Sequence, residues 1–355
     1  MKILVAMSGG VDSSVAAALL KEEGHEVAGA TIRTWASNHC AELNTRACCG
    51  LTGVEDAREV AEMLGIRYWV LNFEQEFKRH VVDYFAAEYE RGRTPNPCIA
   101  CNEHVKFRLF LERARELGFE AIATGHYARL TRDASGAFLI REGLDASKDQ
   151  SYVLFPLNRE VLSHLFLPVG SFSKSEIRKK AADLGLPVAT KPDSQEICFI
   201  PSNDYGAFLE REYLEEKTQP GLIRMSDGRV VGCHNGYFHY TRGQRRGLGV
   251  AHRERLYVLK TVPEKNEVIV GTKEEVFGRT CGVGRVNWFL KPEGPFEAEV
   301  KIRSQHEKAA ARLGFSGKAV RVEFDEPQEA LTPGQAAVFY RGDAVLGGGW
   351  IDWVE

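Results

Sequence analysis

Hydrophobic positions in the first 202 residues fall into two alternating patterns. Short apolar runs give way to stretches in which apolar residues recur every three or four positions, as buried parallel strands alternate with amphipathic helices. KILVAM (2–7) reads as a strand running into glycines, VAAALLKEEG (15–24) as a helix closed by Gly24, and EVAGATI (26–32) as a second strand. VEDAREVAEMLG (54–65) is the next helix, YWVLNF (68–73) the third strand and AIATG (121–125) another buried strand. EQEFKRHVVDYFAAEYERG (74–92), VKFRLFLERARELG (105–118) and KSEIRKKAADLG (174–185) carry helical spacing. Two segments, 33–53 and 92–104, break the rhythm. Both contain cysteines, and both can lie at the sheet edge where open α/β folds bind ligands.

After residue 218 the pattern changes to short alternating segments separated by Gly, Asp and Asn turns. LIRMSDGRVV, RLYVLKTVPEKNEVIVG, EAEVKIR, KAVRVEFDEP and QAAVFYRGDAVLGGGWI all read as strands. The expected architecture is an α/β doubly wound parallel sheet over 1–202, a small central linking domain over 203–280 and a C-terminal β-barrel over 281–355. No internal repeat or low-complexity tract interrupts it.

Composition narrows the choice of partners. With 44% hydrophobic and 27% charged residues and a net charge of −3, the chain is suited to packed cores and has no global basic excess. Nucleic acid would have to be bound through local patches. No apolar run reaches the ~20 residues of a membrane span, and the apolar stretch in MKILVAMSGG is too short for a signal peptide. The expectation is a cytoplasmic protein with no membrane partner. Its eight cysteines are then reactive, metal-binding or buried rather than a disulfide framework.

MSGGVDSS (7–14) follows a strand and opens a helix. Its glycines let backbone N–H groups approach a phosphate, the helix N-terminus favours negative charge, and Ser8, Ser13 and Ser14 add hydroxyls. The lysine of a Walker A loop and the spacing of a dinucleotide fingerprint are both missing. SGGVDSS instead resembles the loop of the PP-loop ATP pyrophosphatases, which break ATP between the α- and β-phosphates. That resemblance implies that Asp12 positions Mg²⁺ or pyrophosphate. Ile32, at the end of the second strand, should flank adenine. In TGHYAR (124–129), Gly125 would permit close nucleotide approach and His126 would point into the same crevice.

TPNPCIAC (94–101) places Cys98 and Cys101 three apart behind Pro95 and Pro97, which stiffen an extended loop. Zinc binding, a dithiol redox pair, an iron–sulfur site and sulfur transfer each need different further ligands. Cys198, in KPDSQEICFI (191–200), is 97 positions beyond Cys101 and joins them only through tertiary structure. Cys40, Cys48 and Cys49, with His39, lack a common zinc spacing, and Cys233 and Cys281 read as ordinary thiols of β-domains. HYTRGQRRGLGVAHRER (239–255), with five arginines and one glutamate, and VKIRSQHEKAAARLGFSGKAVR (300–321) are candidate phosphate-tracking stretches.

SGGVDSS, TPNPCIACN with VKF just after it, TGHYAR, KDQSY (148–152), DSQEICFI and GQRRGLG (243–249) occur in that order. Together they resemble the bacterial tRNA-specific 2-thiouridylases over essentially the whole chain. The resemblance implies an ATP-dependent sulfurtransferase that replaces O2 of the wobble uridine in tRNA. It implies ATP binding by Ala6, Met7, Ser8, Gly9, Gly10, Val11, Asp12, Ser13, Ile32 and Gly125, with Mg²⁺ as cofactor. Cys198 would carry sulfur as a persulfide received from a donor or relay protein, and Cys101 would be the second catalytic thiol. Asn96, Pro97 and Cys98 would face the target base. His126, Lys148, Asp149, Gln150, Arg303, Ser304 and Gln335 would contact tRNA. Two positions depart from the family pattern: many relatives have Asp at the Cys98 position, and Ser304 stands where an aromatic is frequent.

The chemistry suits these residues. Adenylating the uracil O2 turns a poor electrophile into one with a leaving group, and a persulfide is a strong sulfur nucleophile. Thiolates call for an electropositive site, for which His104, Lys106 and His126 are candidates. A [4Fe–4S] cluster on Cys98, Cys101 and Cys198 is the alternative sulfur carrier. A small-molecule ATP pyrophosphatase, or a tRNA-binding protein with a purely structural nucleotide site, would share the loop without needing the thiols.

Overall fold

The computed structural model describes residues 1–34, 51–193, 197–200 and 204–355. His39, Cys40, Cys48 and Cys49 lie outside the described residues. The chain divides into two compact units. One comprises Met1–Val81, Cys98–Pro201 and Gly342–Leu346; the other comprises Val82–Pro97, Ser202–Arg341 and Gly347–Glu355.

The first unit is built on a parallel sheet. Its strands are β1 (Lys2–Ala6), β2 (Glu26–Arg33), β3 (Arg67–Asn72), β4 (Ala121–Ala123) and, after a hairpin of β5 (Ala128–Arg132) and β6 (Phe138–Glu142), β7 (Leu165–Phe166). They lie in the order β3-β2-β1-β4-β7, every pair parallel. Helix α1 (Val11–Glu22) buries Val11, Val15, Ala16, Ala17 and Leu20 in the core formed with Ile3 and Val5 of β1. Helix α2 (Leu51–Met63) buries Ala57 and Val60 in the same core. Because β2 flanks β1 on one side and β4 on the other, the direction of winding reverses between β1 and β4. The crevice that ligands use in such sheets opens at the carboxyl ends of these two strands.

The structure corrects the expected extended loop over 92–104. Helical backbone starts at Pro97: a short helix Pro97–Ala100 runs into a π-helical stretch Cys101–Leu109 and on into Phe110–Glu116. Proline suits a first helical position, since its missing N–H has no intrahelical partner there. The periodicity hid this start because CIACN offers too few apolar positions for a helical stripe. The β5–β6 hairpin and the two-residue β7 are likewise invisible in the pattern. The hairpin turn is closed by Asp133, whose carboxylate accepts the N–H groups of Ser135 and Ala137 at 2.8 and 2.9 Å.

The second unit is mostly β. A four-stranded sheet, order β10-β11-β8-β9, is formed by β8 (Gly221–Met225), β9 (Val230–His234), β10 (Tyr257–Val262) and β11 (Glu267–Gly271). After it come β12 (Phe277–Trp288), β13 (Phe296–Lys301), β14 (Ala309–Ser316), β15 (Ala319–Glu329), β16 (Ala336–Arg341) and β17 (Ala344–Val354). These follow the order β12-β15-β14-β13-β16-β17, and β12 pairs back with β17, closing a barrel. The sequence pattern did not show β12 or β14. Gly282 and Gly284 disguise β12: a Cβ on either would come within 2.1 Å of the side chain of Trp353 or Asp352. Those glycines serve as seats for side chains of β17.

Candidate active site

The phosphate loop is shaped by contacts that leave little choice of residue. At the end of β1, the Met7 N–H donates to the Ala30 carbonyl at 2.9 Å, and Thr31 Oγ1 donates to the Met7 carbonyl at 2.6 Å. Gly9 has φ +70°, and a Cβ there would lie 2.2 Å from the Gly53 carbonyl oxygen, so only glycine fits. Gly10 caps α1 in extended backbone with no side chain over the helix end. Ser13 Oγ accepts the Ser8 N–H at 3.2 Å, and Ser14 Oγ donates to the Gly10 carbonyl at 2.9 Å. Met7 and Val11 bury their side chains in the core, so each can offer a ligand only its backbone. Ile32 is buried on β2. Gly125, just past β4, faces the start of α1 so closely that a Cβ would lie 2.6 Å from the Ser13 nitrogen. The loop and TGHYAR therefore meet at the reversal between β1 and β4.

A charge network that the motifs do not announce surrounds the loop. The Lys174 ammonium contacts both oxygens of Asp12, at 2.7 and 2.8 Å, and Asp193 Oδ1 at 2.8 Å. Asp193 also accepts from Lys148 Nζ at 2.8 Å and from Arg178 Nη2 at 2.9 Å. Tyr127 OH donates to Asp12 at 2.7 Å. Burial, followed by that bond to a carboxylate, pushes the Tyr127 phenol well above its usual range, so it stays a neutral donor. Burial alone would raise Asp193, but hydrogen bonds and charge from Lys148 and Lys174 prevail and hold it at about 2. Lys191 Nζ donates to the Gly9 carbonyl at 2.9 Å and pairs with Asp56. The only sequence trace of Lys174 is the capping box Ser173–Glu176 that starts its helix. Tyr127, Lys191 and Asp193 sit inside recognisable motifs, but nothing in those motifs alone assigns them a role.

The cysteines occupy the helical segment after Pro97 and the end of KPDSQEICFI. Cys98 is exposed in the first turn, Cys101 is buried at the start of the π-helical stretch, and Cys198 is half-buried. A π-helical run of this kind is rare and tends to mark functional positions. Phe199, next to Cys198, packs edge-on against Phe77 at 5.7 Å, and the helix Glu74–Phe77 packs on the π-helical stretch. His104 of that stretch stacks with His80 at 4.9 Å, and Phe107 lies 5.4 Å from the ring of His126. Among the described residues, no three His, Cys, Asp or Glu side chains stand together as a metal-ligand set.

The expectation that His126 supplies positive charge is corrected. Burial, with the Lys106 charge beside it, holds its imidazole neutral down to about 3, and its Nδ1 shares a 2.8 Å hydrogen bond with Thr124. His80 is also lowered, by burial and then by Arg108 and Arg79. Positive charge around this segment comes from Lys106, Arg79 and Arg108.

The residues expected at tRNA divide between the units. In the first, Lys148 is paired with Asp193. Asp149 accepts from the Gly143 N–H at 3.0 Å and from the Ser151 hydroxyl at 2.8 Å, and Gln150 accepts the Tyr127 N–H at 2.9 Å. Asp149 and Gln150 thus organise the turn that presents Lys148. Asn96, Pro97, Arg303, Ser304 and Gln335 belong to the second unit. There Arg303 donates to the Ala330 carbonyl at 2.8 Å, and Gln335 Nε2 donates to the Thr94 carbonyl at 2.9 Å. Arg245 and Arg246 are exposed.

Three family models match the chain: one described as tRNA methyl transferase HUP domain over residues 1–202, one as tRNA methyl transferase PRC-barrel domain over 206–272, and one as aminomethyltransferase beta-barrel domain over 278–351. A tRNA-specific 2-thiouridylase MnmA of Heliobacterium modesticaldum is 50% identical over 98% of this chain and 92% of its own length. Proteins of the same name from Geobacter metallireducens and Moorella thermoacetica are each 49% identical over 99% of this chain, covering 96% and 99% of their own lengths. A solved 4-thiouridine synthetase–RNA complex with bound ATP is 20% identical with a TM-score of 0.39, covering 59% of this chain and 50% of that one. A likeness that slight carries no argument about this chain.

The buried His126 makes stability depend on pH. Its folded pKa of about 3 lies below the ~6.5 of an unfolded histidine, so the unfolded chain binds the proton more readily between those values. Stability therefore drops as pH falls through that window. In His126→Asn the slope of unfolding free energy against pH, measured by chemical denaturation, should be smaller by up to about 1.4 kcal/mol per pH unit. Equal slopes in the two proteins would contradict a buried neutral imidazole.

Proposed function

The chain belongs to the tRNA-specific 2-thiouridylase family, and from that premise we propose that it is an ATP-dependent tRNA sulfurtransferase that makes 2-thiouridine at the wobble position. The observation that carries this reading is the presence, in one compact unit, of a phosphate loop and the motif cysteines Cys98, Cys101 and Cys198. The first family model is named for methyl transfer. The relatives that match end to end are named for thiolation, and a cysteine pair with a distant third is what sulfur transfer needs.

In the proposed reaction, the triphosphate of ATP lies along Ala6–Ser13, with Ile32 and Gly125 beside the nucleoside. The uracil O2 attacks the α-phosphorus and expels pyrophosphate, leaving the oxygen adenylated. Lys174 and Lys191, beside Asp12 and Gly9, suit the charge of the departing pyrophosphate. Mg²⁺ arriving on the nucleotide would find Asp12 as its carboxylate ligand, and oxygen ligands of that kind suit it. The terminal sulfur of a Cys198 persulfide then adds at C2. AMP leaves, and the Cys101 thiolate takes the Cys198 sulfur as a disulfide, freeing the thiolated base. A thiol reductant resets the pair, and a donor or relay protein reloads Cys198. Asn96, Pro97 and Cys98 face the base, while Lys148, Arg303, Ser304 and Gln335 engage the tRNA. A [4Fe–4S] cluster on Cys98, Cys101 and Cys198 is the alternative sulfur carrier; among the described residues these thiols do not stand together as a metal-ligand set, which favours the persulfide route. No helix of the described residues is long and apolar enough to cross a membrane.

Pyrophosphate release from ATP, measured with and without unmodified tRNA, tests the reaction class. Turnover that requires tRNA supports the proposal, and equal turnover without it points to a small-molecule substrate. Cys198→Ser should abolish thiolation and leave ATP and tRNA affinity within about twofold, as for a substitution that removes no binding contact. Substantial thiouridine from the purified variant would rule out the persulfide role.

Changing Arg245 and Arg246 to Ala should weaken tRNA binding and reduce the slope of log K against log salt by roughly 0.7–0.9 for each phosphate that is no longer neutralised. An unchanged slope would mean that these side chains only face solvent.

A further inference from the structure

Asp193 is one carboxylate serving three cations. Lys174 and Arg178 share its Oδ1 at 2.8 and 2.9 Å, and Lys148 holds Oδ2 at 2.8 Å. The two lysines face different ways. Lys174, nearly buried, also spans both oxygens of Asp12 at the start of α1, beside the phosphate loop. Lys148 is more exposed and stands in the KDQ turn held by Asp149 and Gln150. Arg178 is the fixed member: its guanidinium also donates to the carbonyls of Ala189 and Lys191 at 2.9 and 3.0 Å. It therefore keeps Asp193 in place when a lysine leaves.

We infer that Asp193 is a positioning residue shared between nucleotide and RNA: it restrains Lys174 on the nucleotide side and Lys148 on the RNA side, so that drawing off one lysine tightens its hold on the other. The inference rests on the proposed function for the placement of ATP at the loop and of tRNA at Lys148. Phosphate oxygens compete with the carboxylate for each ammonium. When triphosphate draws Lys174 away, Asp193 loses one cation that repels Lys148, and Lys148 binds it more strongly. The RNA phosphate must then displace a tighter pair. Once pyrophosphate departs, Lys174 returns to Asp193 and Lys148 is released toward the tRNA. The grip on the RNA thus rises after adenylation, when the reactive intermediate must be retained. With both lysines in place the Asp193 carboxyl is held at about 2, and Lys148 and Arg178 remain bonded to it when Lys174 leaves.

The test measures the Kd of an unmodified tRNA transcript bearing a wobble uridine, with and without saturating α,β-methylene ATP, in the wild-type chain and in Asp193→Asn. The ratio of the two Kd values, with nucleotide over without, should be about fivefold larger in the wild type, a normal size for coupling between sites. Asp193→Asn should also bind tRNA more tightly than wild type when no nucleotide is present, a gain that a merely structural role does not produce. As a second variant, Lys148→Gln leaves Asp193 to Lys174 and Arg178, so it should weaken nucleotide binding in the absence of tRNA by about threefold, although Lys148 does not touch the nucleotide. If the ratio is the same in wild type and Asp193→Asn, or if nucleotide affinity is unchanged in Lys148→Gln, the coupling is overturned and the proposed function stands. If the wild-type chain binds no tRNA, both fall together.

Discussion

Two backbone approaches at the carboxyl ends of β1 and β4 admit no side chain. Gly9 lies against the Gly53 carbonyl, and Gly125 lies against the Ser13 nitrogen, each closer than any Cβ could be. The first seats the loop after β1 against α2, and the second lets the segment after β4 close on the start of α1, where the sheet reverses its winding. Asp12 and its partners are arranged around that meeting. Asp12 is brought under Tyr127 from the β4 side, and Lys174 reaches it from the first turn of its own helix. Phosphate binding needs exposed N–H groups at a helix start, and a Cβ at either glycine would displace them.

The second organising feature is electrostatic. Lys174 neutralises two carboxylates at once, and Asp193 in turn collects Lys148 and Arg178. The network reaches from the phosphate loop through the helix Lys174–Asp183 to the segment that precedes Cys198. Little of it is exposed enough for solvent to screen it fully, so its members respond to one another's charge. The loop after β1 and the KDQ turn are parts of a single charge balance.

Much of this was legible in the residues and some was not. The strand run into MSGGVDSS and the strand ahead of TGHYAR were readable because glycine and a short apolar run have few meanings together. Lys174 was not, because in KSEIRKKAAD it is one of several basic residues on a polar helix. Its partners lie at positions 12 and 193, and no local pattern links them. Pro97 read as a loop residue although it opens a helix, because proline fits both places. His126 read as a source of positive charge because burial does not show in sequence. In β12, glycines that make room for Trp353 and Asp352 erased the alternation that marks a strand.

The central claim is that the phosphate loop and the thiols act on one substrate, the wobble uridine of tRNA. Mass spectrometry of nucleosides from unmodified tRNA, incubated with the purified chain, ATP and a persulfide sulfur source, tests it most directly. The account predicts 2-thiouridine at the wobble position, formed only when ATP is present. A tRNA that gains no sulfur while ATP is converted to AMP and pyrophosphate, or that gains a methyl group instead, would contradict it.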